Sequence, residues 1–338
     1  MAYKFSDILL SLCLAATLAS CDSVIYEDLP LCVATHDVRF VWDHNMDFSD
    51  RFAESVRSVS LYGFDRDTQV LRWIRTEKGE ALAADRFAVD LDGVPAGEYS
   101  VVAWCGVEND SDDLPDSFTL SDMTVGSSTL YQLQCRMERE VREDGSHHSS
   151  SRLHDLFHGV TSMTVYGDDN PDKTGHHSYL LDLKKDTNRV HVELRSETGE
   201  ALDPAAYTYT ITEANGLLHH DNSLLDDEPI TYHPFAVGET RATGVAADFD
   251  VCRLMADRHA ALTVTDASGR KVVDNVSITS LALKVKDNYG HAMDDQEYLD
   301  RQDSHTFSFD VSSDGTWSGA VLYVNSWRVV LMSDVIFE

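Results

Sequence analysis

From residue 33 onward the chain is a succession of short apolar and polar alternations, broken by turn-forming residues. A period of two is the mark of strands that bury one face. It predicts strands over Val38–Trp42, Val56–Phe64, Gln69–Ile74, Phe87–Leu91 and Tyr99–Trp104, then over Asp116–Met123 and Ser128–Met137. The second half repeats the pattern at 160–166, 178–183, 189–195, 207–212, 244–254, 261–265, 276–285, 306–311, 320–324 and 327–332. No long helical period intervenes, so the expected fold class is all-β, two tandem antiparallel sandwiches. One short helix is predicted near the end, over Asp294–Arg301. There Asp294 can cap the first turn and Glu297 can reach back to the cap's backbone amide.

The first residues follow a different rule. Ile8 to Leu18 is a single apolar run behind Lys4, shorter than the about 20 residues a spanning helix takes. It has the form of a secretory signal, and Leu18-Ala19-Ser20-Cys21 resembles a bacterial lipobox, whose cysteine thiol accepts a diacylglycerol. Residues 1–20 are therefore expected to be a lipoprotein signal peptide, with Cys21 the lipidated start of a tether over 21–31. The remaining length suits two domains of about 100–200 residues each. Their expected bounds are 32–140 and 155–338. Between them, 141–154 lies within a polar stretch without apolar period and reads as a linker. Residues 213–242, rich in Asp, Asn, His and Pro, read as a loop excursion. Within the first domain, Pro95-Ala96-Gly97-Glu98-Tyr99-Ser100-Val101 resembles the turn-and-strand of transthyretin-like sandwiches.

A net charge of −31 argues against nucleic acid, which is bound through Lys and Arg, and against docking on anionic lipid. Of six cysteines, Cys13 leaves with the signal and Cys21 takes the lipid. Cys32, Cys105, Cys135 and Cys252 allow three full pairings. Cys32 with Cys105 is favoured because both lie on segments of the first domain that read as strands. No two cysteines stand at a C-x-x-C spacing, so neither a zinc ribbon nor a thioredoxin-like motif is present.

Histidines occur as His147-His148, His176-His177 and His219-His220, and four apart at His154 and His158. The last pair lacks the neighbouring Glu of a metalloprotease helix, and the adjacent pairs lie in polar stretches that read as solvated surface. No metal or cofactor is expected. The acidic runs at 110–113, 168–169 and 226–228 do not match a twelve-residue calcium loop. Neither a nucleophile elbow nor a phosphate loop is present, and nothing in the chain gives a positive reason to expect an enzyme.

Several segments together resemble FimB-like fimbrial anchor and accessory lipoproteins. They are Cys21 to Pro30 with Cys32, Val38 to Met46, Asp155-Leu156-Phe157-His158-Gly159, Leu183 to Asn188, Asp295 to Arg301, Trp317, and Val324 to Leu331. One departure is Ser326, where that family usually has Gly before the tryptophan. The resemblance implies a lipid-anchored, outer-membrane accessory subunit of a type V pilus with no active site. Its partners would be pilin subunits, bound by β-strand addition. Trp327, Val329 and Leu331 are the candidate partner strand, which could equally complete the domain's own sheet. The alternative from another class is a surface glycan-binding lipoprotein, for which Trp73 and Trp317 are the candidate stacking platforms. A surface hydrolase would instead need a pocket of perturbed carboxylates and histidines.

Overall fold

The computed structural model describes residues 33–108, 116–167, 173–240, 243–312 and 315–331. The signal segment, Cys21, Cys32, the acidic runs at 110–113 and 168–169, and the end of the chain from 332 lie outside the described residues.

Its strands in the first half are β1 (Ala34–Val41), β2 (Ser58–Asp65), β3 (Leu71–Lys78), β4 (Ala88–Asp90), β5 (Gly97–Cys105), β6 (Phe118–Leu120), β7 (Gln134–Met137), β8 (Glu140–Val141) and β9 (His147–Ser149). They continue as β10 (Phe157–Val165), β11 (Gly175–Asp182), β12 (Lys184–Lys185), β13 (Thr187–Ser196), β14 (Tyr207–Glu213), β15 (Leu217–His219) and β16 (Ile230–Tyr232). The last are β17 (Ala236–Glu239), β18 (Val245–Cys252), β19 (Ala261–Asp266), β20 (Lys271–Ser277), β21 (Ser304–Val311), β22 (Trp317–Val324) and β23 (Trp327–Val330). The helices are short: α1 (Phe52–Ser55), α2 (Ile278–Leu283) and α3 (Asp295–Arg301). The chain divides into a small unit, residues 1–35 with 166–177, and a large one, 36–165 with 178–338. In the small unit Thr35 Oγ1 lies 3.1 Å from His176 Nδ1.

The mostly-β expectation holds, with sheets packed as sandwiches that are antiparallel except at two parallel pairs, β13 with β21 and β9 with β16. One five-stranded sheet runs β12-β10-β5-β2-β3, and both of its faces are buried. Val59, Leu61, Val101 and Ala103 point into one core, together with Val38, Phe40 and Leu181. Tyr62, Phe64, Val102 and Trp104 point into another, which continues through the rest of the chain to Leu331. Burial on both faces explains why β2 and β5 read as nearly unbroken apolar runs rather than clean alternations. Gly63 is required in β2 because Trp73 lies flat on it; a Cβ there would stand 1.9 Å from the indole ring.

Two six-stranded sheets, β17-β18-β13-β21-β22-β23 and β20-β19-β14-β16-β9-β8, flank the second core. The stretch expected as a linker contributes β9, which pairs in parallel with β16. Here polar residues serve as strand because His148 and Ser149 are buried and partnered. His148 Nδ1 lies 2.9 Å from His233 Nε2, and the Ser149 carbonyl accepts from His233 N at 2.7 Å. Beyond it, β10 returns to pair with β5 over nine positions, from Phe157 opposite Cys105 to Val165 opposite Gly97. The expected loop excursion at 213–242 holds β15, β16 and β17.

Two local expectations need correcting. The run 276–285 was expected as a strand, but residues 278–283 form α2. Ser277 caps it by accepting from Ser280 N, and a short apolar run does not by itself distinguish a buried strand from a buried helix. In α3 the Asp294 cap is present, its Oδ1 accepting from Glu297 N at 2.7 Å. Glu297 does not reach back, however. Its side chain accepts instead from Arg301 Nε at 2.9 Å.

Candidate functional site

The segments that carry the fimbrial resemblance meet in a buried junction. Helix α3 places Tyr298, Leu299 and Asp300 inward. Asp300, only 2% exposed, accepts two bonds from Arg253, at 2.9 Å from Nε and 2.7 Å from Nη2. This is the fork-to-carboxylate geometry that makes such pairs strong. The same carboxylate accepts from Lys184 Nζ at 3.2 Å and from Gln296 Nε2 at 2.8 Å. Gln296 also joins the loop after β18 to the helix, accepting from Ala256 N at 2.9 Å and donating to the Leu254 carbonyl at 3.1 Å.

Arg253 Nη1 donates to the Asn222 carbonyl, and Asn222 Nδ2 donates to Asp186 Oδ1 at 2.8 Å. Asp186 is fully buried, and its Oδ2 has no partner among the described residues. Burial drives its carboxyl up to about 7, with Arg253 and the Asn222 amide pulling the other way. Next to it, Lys185 Nζ lies 2.9 Å from Asp155 and 2.8 Å from Asp303.

The other segments lock onto the same centre. Arg301 Nη1 donates to the Asp43 carbonyl at 2.9 Å, and its guanidinium lies 4.5 Å from the Phe48 ring centroid. Trp42 meets Phe157 edge-on at 4.9 Å, and His158 tilts against Trp104 at 4.5 Å. His158 Nε2 lies 2.9 Å from the His220 carbonyl. Burial lowers the His158 imidazole to about 4, so it is neutral. Gly159 leaves room for Leu181, whose side chain would lie 2.2 Å from a Cβ there. At the far end Asn325 Oδ1 accepts from Thr306 N at 2.7 Å, and its Nδ2 donates to Tyr289 at 3.1 Å.

This geometry can hold elements together, but its charges are consumed by one another. The cleft lined by Asp155, Lys185, Arg189, Asp250 and Asp303 is equally prepaired, with Arg189 Nε 3.2 Å from Asp250. The acidic run at 226–228 is partly internal, since Asp227 accepts from both terminal nitrogens of Arg139, at 2.5 and 2.7 Å. Sequence reasoning quoted most of these residues singly. It missed Arg253 and Asn222, which carry no local signal beyond being polar within or beside apolar stretches.

The remaining sequence-predicted positions are scattered. Cys21 and Cys32 lie outside the described residues. Cys105 on β5, Cys135 on β7 and Cys252 on β18 are buried and form no disulfide among the described residues, and burial raises all three thiols. Trp327, Val329 and Leu331 lie on or just beyond β23, which pairs with β22 at the edge of its own sheet. Val329 and Leu331 are buried while Trp327 is 46% exposed. Trp73 is buried over Gly63, and Trp317 donates to the Val321 carbonyl at 2.8 Å while packing edge-on against Phe309. Trp73 is thereby closed to a sugar ring, while Trp317 is part-buried.

Stacked sheets joined through buried ion pairs define a β-sandwich protein. A family model described as Mfa2, fimbrillin-A associated anchor proteins Mfa1 and Mfa2, matches residues 29–333, and the chain belongs to that family. It is a family of structural fimbrial anchors at the cell surface, and this protein is not an enzyme. The chain is 24% identical over 262 residues to the minor fimbrium anchoring subunit Mfa2 of Porphyromonas gingivalis, covering 75% of this chain and 74% of that one. A solved structure of a DUF1812 protein from Bacteroides thetaiotaomicron, provisionally termed polysaccharide-binding, superposes with a TM-score of 0.77 at 31% identity. It covers 89% of this chain and 99% of that one. The fold is also that of the P. gingivalis fimbrial anchor Mfa2, with a TM-score of 0.65 at 16% identity over 89% of this chain and 100% of that one.

Proposed function

We propose that this protein is the lipid-held anchor of a fimbria, fixed in the outer membrane through a diacylglycerol on Cys21 and joined to a neighbouring pilin by β-strand addition. The observation that carries the reading is the position of Cys21. It closes an apolar signal-like run just ahead of the region that matches the anchor family. Acyl chains on such a cysteine hold a folded body at a membrane without a spanning helix.

Strand addition is supported by the edge position of β23, which has no strand paired on its outer side among the described residues, the arrangement that an incoming strand can extend. Val330 is 57% exposed there and would pack against the added strand's side chains.

Expression of the Cys21→Ala variant in fimbriated cells tests the anchor. Fibres that form but are shed into the medium are expected. Fibres retained on the cell as in the wild type would sink the proposal. In the same cells Val330→Lys, a charge on an exposed edge strand, should reduce pilin capture while leaving the body folded; undiminished capture would rule out this edge.

A further inference from the structure

The turn that follows β15 sets three side chains of metal-ligating type next to one another. His219, His220 and Asp221 each present a ligand atom, and the three atoms lie within 4.8 Å of one another. We infer that this turn is a surface binding site for a divalent transition-metal ion, of the class that favours imidazole nitrogen with carboxylate oxygen, such as Zn2+.

The first argument is the orientation of His219. Its Nε2 lies 3.1 Å from the Tyr131 carbonyl oxygen. A carbonyl only accepts, so Nε2 is the nitrogen that donates, which leaves Nδ1 as the ligand atom of this ring. That nitrogen faces Asp221 Oδ1 at 3.7 Å. That nitrogen and the carboxylate, whose Oδ1 also accepts from Ser223, thus face one side of the turn, within reach of a single cation. A ring held by its other nitrogen on a backbone carbonyl is the usual support behind a metal-bound histidine.

The second argument is that the turn is built from beneath. Asn222 N donates to the His219 carbonyl at 2.9 Å, and His219 N donates to the Ser223 carbonyl at 2.9 Å. Asn222 adopts a left-handed φ of 68°. Its buried amide is tied to Asp186 and its carbonyl to Arg253, as described above. The His220 carbonyl is tied to His158. Asp221 is held by Ser223, through N at 3.1 Å and Oγ at 2.6 Å. The ligands are therefore ordered before any ion arrives, which removes most of the entropic cost of assembling them.

A second close pair of histidines, His148 on β9 with His233, differs. Both ring nitrogens of His148 are already engaged, by His233 at 2.9 Å and Ser146 at 2.8 Å. At the proposed site the Asp221 side chain is 55% exposed, so an ion has an entry path. Three protein ligands leave at least one position for water or a partner's side chain.

Calorimetric titration of the chelator-treated full chain with ZnCl2 tests the site, with His220→Ala, Asp221→Asn and His233→Ala as comparisons. Asp221→Asn keeps the Ser223 contacts, so the turn survives the substitution, and circular dichroism verifies that each variant is folded. Saturable binding at one site is expected, weakened about tenfold or more by the first two changes and unaltered by the third. Absence of saturable binding, an affinity unchanged from wild type in His220→Ala and Asp221→Asn, or loss in His233→Ala alone would each overturn the assignment.

Discussion

At the scale of single residues, Asp186 ties stability to pH through burial of its carboxyl. Its folded carboxyl titrates near 7, far above its unfolded value of about 3.9. Between those values the folded state holds a proton that the unfolded chain has lost, so this group's contribution falls as pH rises and levels off above about 7. His44, His158 and His305 act in the opposite direction. Burial lowers each to about 4, so the unfolded chain takes up protons first on acidification. Stability is therefore lost from the histidines as pH falls below about 6.5. In Asp186→Asn the carboxyl's opposing slope disappears. Urea midpoints measured from pH 8 to pH 4 should rise relative to wild type at pH 8 and fall more steeply towards acid. Parallel curves for the two proteins would refute the assignment.

At the scale of elements, the hairpin joining β22 to β23 carries a departure that the sequence already showed. Asn325 and Ser326 both take left-handed φ, 48° and 71°, the requirement of the tight two-residue turns that match strand twist. Asn tolerates that region, but Ser pays a steric penalty that Gly does not. Ser326→Gly should stabilise the protein by about 0.5–1 kcal/mol, read as a higher midpoint in chemical denaturation. A lower midpoint would mean that the hydroxyl makes an undetected contact.

Elements also show how far the chain could be read in advance. Strands with one wet face, such as β13 and β21, announce themselves by alternation. Helix α3 was legible because Asp294 caps it. The strands β9, β15 and β16 were not, since each is three residues long and depends on neighbours distant in sequence. Helix α2 was misread because Ile278 and Thr279 favour strands and only the Ser277 cap betrays a helix. The junction was visible as separate motifs. Its assembly was not, because Arg253 and Asp300 stand 47 positions apart and no local pattern says which cation meets which carboxylate.

For the whole molecule, the Arg253 to Asp300 pair ties the end of β18 to α3, while Lys184 and Arg301 tie that helix to β12 and the loop after β1. Asp300→Asn keeps the shape and removes the charge, leaving a buried guanidinium without its anion. Breaking one side of such a pair costs about 3–5 kcal/mol. Because one sheet supplies both cores, the loss should appear as a single unfolding transition at lower denaturant. Near-ultraviolet circular dichroism and tryptophan fluorescence should coincide; two separated transitions would show that the cores unfold independently.

The central sheet has one more consequence for a protein that must resist a pull. Strand β5 is flanked by β10 through nine aligned positions and by β2 through seven. Inter-strand hydrogen bonds run crosswise to the strand axis, so traction along β5 strains both rows together instead of peeling them one rung at a time. Oil on each face adds friction to that slide, giving a fastening in the middle of the body that fails by shear rather than by unzipping.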